Sequence, residues 1–82
     1  MIDLKKTPYW DLFADIVTYL KRALPVSGDD PYWIRVCQEA SDLAQKYQET
    51  PVGSLCNGVL HAIMDELGRI YEEQEVKRNA VS

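Results

Sequence analysis

The sequence predicts an all-α fold, a small three-helix bundle of up-down-up topology with a long third helix. Three observations carry this expectation. Apolar residues recur at spacings of three and four along three stretches, each stretch opens with a capping residue followed by proline, and short turn-forming segments separate them. With 82 residues the chain has room for one domain and not for a large buried active-site cavity. At 46% hydrophobic and 27% charged residues it is too apolar for a disordered tail, and 4 Gly and 4 Pro are too few for a linker.

The helix starts are Thr7-Pro8, Asp30-Pro31 and Thr50-Pro51. A Thr or Asp side chain can accept a bond from a free first-turn amide, and proline at the first helical position fixes φ where no donor is needed. The first helix is expected over about residues 8–24, with Tyr9, Leu12, Phe13, Ile16, Val17, Leu20 and Leu24 on one buried stripe. Asp11, Asp15, Thr18 and Arg22 fall opposite, and Pro25 with Ser27-Gly28-Asp29 ends the helix. The second, about 31–48, buries Trp33, Val36, Cys37, Ala40, Leu43, Ala44 and Tyr47, and turns Ile34 away from the core.

The third helix, about 51–77, carries Cys56, Leu60, Ile63, Leu67, Ile70 and Gln74 at alternating spacings of four and three, the pattern of a coiled-coil seam, with Val59 beside it. At 1.5 Å per residue it should be roughly 40 Å long against about 25 Å for the first, so it overhangs its neighbours. The overhang, residues 72–78, is almost wholly polar and is expected to fray. Gly53 and Gly58 leave open a later start at Ser54, which would then serve as the cap. A core this thin makes a homodimer a natural remedy.

Thirteen acidic against nine basic residues give a net charge of −4, the wrong sign for attraction to nucleic acid or anionic lipid. No apolar run approaches the roughly 20 residues of a membrane helix, and Asp3, Lys5 and Lys6 interrupt any signal-peptide core. A cytoplasmic location is the expectation. Cys37 and Cys56 lack the close spacing of a zinc site and are read as reduced, core-facing thiols.

His61, the single histidine, lines up with Asp65 and Arg69 along the outer face of the third helix. Two ligands on one face complete no metal shell, and Cys56 lies about 140° from His61 on the wheel, so the two form no dyad. No cofactor, metal or catalytic residue is expected, and the chain is read as a non-enzyme.

Gly53-Ser54-Leu55, followed by Val59, Met64, Asp65-Glu66-Leu67 and Tyr71-Glu72-Glu73, resembles the phosphopantetheine-attachment segment of acyl carrier proteins over about 20 residues. That resemblance implies a modified serine at Ser54. It departs from the family at Gly53, where the motif has Asp, and in having no further helix after the segment.

The corner between the second and third helices also allows a helix-turn-helix-like DNA-binding dimer. The face of the third helix offers Asn57 and His61 but no Arg or Lys before Arg69, which leaves little to contact phosphates or guanine edges.

The aromatic residues are more informative, with two Trp and five Tyr against one Phe. Trp10 and Tyr32 sit about 80° and 70° from the centres of their stripes, and with Tyr19 and Ile34 they form the expected partner surface. The leading expectation is therefore an acidic helical protein–protein interaction module of adaptor, inhibitor or antidote type. Its partner would be another protein or a second copy of itself, with Asp11, Asp15, Asp29 and Asp30 available to steer a basic partner.

Overall fold

The computed structural model describes residues 2–81, with side chains through Lys77. A short 3₁₀ turn, Leu4–Lys6, leads into α1 (Pro8–Ala23), α2 (Asp30–Tyr47) and α3 (Gly53–Val81). Tyr47 and Lys46 of α2 meet Asp15 of α1, while Tyr32 meets Ala23, so the two helices run antiparallel. Cys56 near the start of α3 faces the Leu43 carbonyl, and Tyr71 packs edge-on to Trp33, so α2 and α3 are antiparallel too. The up-down-up bundle with a long third helix is thus the observed architecture. At 29 residues α3 is roughly 43 Å long and continues about 15 Å past its contact at Trp33. It remains helical through Val81 rather than ending near residue 77.

The starts fall near the expected places but use different chemistry. Thr7 occupies the N-cap of α1, yet its hydroxyl donates backwards to the Leu4 carbonyl at 2.7 Å. Asp29, not Asp30, caps α2: its Oδ1 accepts from the Tyr32 amide at 3.3 Å and from the Ser27 hydroxyl at 2.9 Å. Thr50-Pro51 belongs to the α2–α3 corner, where Thr50 Oγ1 donates to the Tyr47 carbonyl and accepts from the Val52 amide. Helix α3 begins at Gly53, so Ser54 lies within its first turn and is not its cap.

The core is Leu12, Ile16, Tyr19 and Ala23 of α1, Val26 of the connection, Tyr32, Val36 and Tyr47 of α2, and Val52, Cys56, Leu60 and Leu67 at the corner and on α3. The α3 seam follows the four-three spacing, with Val59, Ile63 and Ile70 partly buried beside it. In α1 the buried stripe is rotated from the expected one. Tyr9, Phe13, Val17 and Leu24 are exposed, and Asp15 and Arg22, expected to face solvent, reach across to α2.

Two tyrosines explain the rotation. Tyr19 takes its ring inward because its hydroxyl can donate to the Val36 carbonyl at 3.2 Å, with Met64 Sδ 3.5 Å away. Tyr32 does the same against the Ala23 carbonyl at 2.5 Å, and the small Ala23 side chain leaves space for it. A buried phenol is stable once its hydroxyl has a partner. These bonds also satisfy the end of α1, whose last carbonyls have no intrahelical donor: Tyr32 takes that of Ala23, and Arg35 Nη2 takes that of Arg22 at 2.9 Å.

Candidate functional site

Of the four residues expected to form a partner surface, the structure leaves two at the surface. Trp10 and Ile34 are exposed, whereas Tyr19 and Tyr32 are core residues at 3% and 6% exposure and present no ring to a partner. Nor do Trp10 and Ile34 share a face. Ile34 lies near the start of α2, which packs on the C-terminal end of α1, while Trp10 lies about 20 Å away along the α1 axis.

The rotation of α1 creates a different surface. Tyr9, Trp10, Phe13, Val17 and Leu24 are each 45–50% exposed, and their shared side is turned roughly 90° from the buried stripe. Ile2 and Leu4, in the segment before α1, are exposed as well, and Lys5 places its Nζ 5.7 Å from the centre of the Trp10 ring. Lys21 borders the strip on the helical wheel, while the acids of α1 lie toward α2: Asp11 lines a depression with Lys46 and Tyr47, and Asp15 bonds Lys46 Nζ at 2.7 Å and the Tyr47 hydroxyl at 2.6 Å. Burial pushes the Asp15 carboxyl up. The bonds from Lys46 and Tyr47 and the Lys46 charge outweigh that and hold it below the usual carboxylate value. Burial and the facing Asp15 raise the Tyr47 phenol in turn, and burial pushes Tyr19 up to about 12.

Most of the other groups that could carry chemistry are engaged structurally, although Glu39 Oε2 is buried without a hydrogen-bond partner. A shallow depression of about 230 Å³ between α1 and α2 is lined by Asp15, Thr18, Arg22, Glu39 and Asp42. Glu39 Oε1 lies 2.5 Å from Arg22 Nη2, Asp42 accepts from Gln38 at 3.1 Å, and Asp15 is held as described. Cys56 is buried, its thiol raised first by burial, which is the opposite of nucleophile activation. Cys37, expected in the core, is exposed on α2 beside Ile34 and Gln38. His61 and Asp65 lie on the exposed side of α3, but Arg69 turns to Glu66, at 2.6 and 2.8 Å, and to Glu73 at 2.7 Å. Those bonds hold Glu66 below its usual value and raise Arg69 further. Among the described residues no group of three His, Cys, Asp or Glu side chains could hold a metal ion, and no helix is long and apolar enough to cross a membrane.

Ser54 is exposed on the first turn of α3, and the residue before it is fixed by packing. A Cβ at Gly53 would stand 2.5 Å from the Tyr47 carbonyl oxygen and 2.9 Å from that of Gln48. The aspartate of the acyl-carrier motif would collide with backbone there. The exposed first turns of α3 also present Leu55, Asn57 and His61 without a cation, and the first cation, Arg69, is committed to its two glutamates.

Sequence reasoning missed the outer side of α1 because it merged two stripes into one. A signal was available: Leu12, Ile16, Tyr19 and Ala23 show the same four-three-four spacing as the α3 seam. Comparison with protein-family models, curated proteins and solved structures gives no match to this chain.

Proposed function

We propose that the chain is a non-enzymatic protein–protein interaction module that binds through the outer side of α1. The observation that carries this reading is the run of five half-exposed apolar residues, three of them aromatic, on one side of one helix. Isolated exposed apolar side chains are ordinary, whereas a continuous apolar strip with a charged rim is the composition of a recognition surface. Aromatic residues such as Trp10, Tyr9 and Phe13 supply large contact area at small entropic cost and dominate the energetics of many interfaces. The lysines around the strip suit a hydrated rim, with their stems covering the edge.

The test is a comparison of two surface substitutions in pull-downs from the native host. Phe13→Asp should lose the captured protein, and Ile34→Asp, on α2 and outside the strip, should retain it. Equal capture by both variants would refute the surface.

A further inference from the structure

We infer that the occupant of the outer side of α1 is a second copy of the chain, giving an isologous dimer in which the strip packs on itself. The inference rests on reading this side as the recognition surface and adds the identity of its partner. Two observations carry it.

The first is area. Three aromatic and two aliphatic residues at 45–50% exposure offer about 450 Å² of surface. A twofold interface uses the same patch twice. Two copies would thus bury up to about 900 Å², the size of a weak association that forms as concentration rises.

The second is charge. Residues 1–24 carry four basic and three acidic side chains, whereas the remaining chain carries five and ten. Two molecules of net charge −4 repel wherever their acidic α2 and α3 surfaces meet. The outer side of α1 is where the acidic repulsion is weakest: its strip of Tyr9, Trp10, Phe13, Val17 and Leu24 holds no charged residue, and Asp15 is paired with Lys46 on the α2 side. Ile34 and Val76, more exposed than any residue of the strip, offer no such surface: Ile34 has Trp33, Cys37, Gln38 and Ser41 as neighbours, and Val76 lies among Arg69, Glu72, Glu73 and Lys77.

Solution mass by light scattering tests the inference. The wild-type chain should approach twice its 9.4 kDa as concentration rises, and Phe13→Asp with Val17→Asp should remain at 9.4 kDa with helical circular dichroism retained. A second measurement needs no variant. On dilution of the wild-type chain, backbone amide resonances of residues 9–24 should shift while those around Ser41 and Asn57 stay fixed. A mass of 9.4 kDa at every concentration, or a dimer indifferent to both substitutions, would overturn the dimer. If the chain were monomeric and Phe13→Asp still abolished capture of another protein, only the choice of occupant would fall. If neither mass nor capture responded, the recognition surface would fall with it.

Discussion

Leu12, Ile16, Tyr19 and Ala23 on the inner side of α1 are at most 5% exposed, while Tyr9, Phe13, Val17 and Leu24, interleaved with them in sequence, are about half exposed. The two groups are equally apolar, so hydrophobicity does not decide which side faces the core. Polar satisfaction does. The inner side is the one where the hydroxyls of Tyr19 and Tyr32 find carbonyls and where Asp15 and Arg22 find Lys46, Tyr47 and Glu39 across the helix pair. Turning α1 by a quarter to bury Phe13 and Val17 would strand those groups, and each stranded buried polar group costs about 1–3 kcal/mol. The outer strip is what remains after the inner bonds are made.

The comparison is sharpest at adjacent positions. Leu12 is fully buried, so Leu12→Ala should destabilise the fold by about 2–5 kcal/mol in chemical denaturation. Phe13→Ala, next to it in sequence, should cost under about 1 kcal/mol in dilute solution, where the strip faces water. Equal losses would mean that both sides are covered and would remove the distinction.

Tyr32→Phe removes one hydroxyl and leaves the buried Ala23 carbonyl without its donor. We expect a loss of about 1–3 kcal/mol, with the amides closing the end of α1 exchanging faster. An unchanged midpoint would show that the hydroxyl bond does not choose the inner side.

The smallest effect concerns Asp15. Its carboxyl is held below the usual value in the folded chain, so its contribution is present above the unfolded pKa and is lost as pH falls through the lowered folded one. Asp15→Asn should therefore cost about 1 kcal/mol at neutral pH and progressively less in acid. A penalty that stayed constant with pH would exclude the ion pair as its source.

Much of this was legible beforehand. The three helices, the antiparallel order, the α3 seam and the outward turn of Ile34 all follow from periodicity and turn chemistry, which are local properties. The site was legible only at Trp10. The sequence groups Tyr19 and Tyr32 with a partner surface because aromatic residues anchor many interfaces. Their true partners, the carbonyls of Val36 and Ala23, lie on a neighbouring helix and are invisible in a sequence window. Cys37 failed for the complementary reason: the second helix turns Tyr32 and Val36 inward, which carries Cys37 out to solvent.

Covalent footprinting of aromatic side chains at low and high protein concentration tests the central claim most directly. Tyr9, Trp10 and Phe13 should label readily in dilute protein and become protected as concentration rises, while Tyr19 and Tyr32 should stay unlabelled throughout. Labelling of Tyr19 and Tyr32 at the level of Tyr9, or a Trp10 and Phe13 signal that ignores concentration, would contradict it.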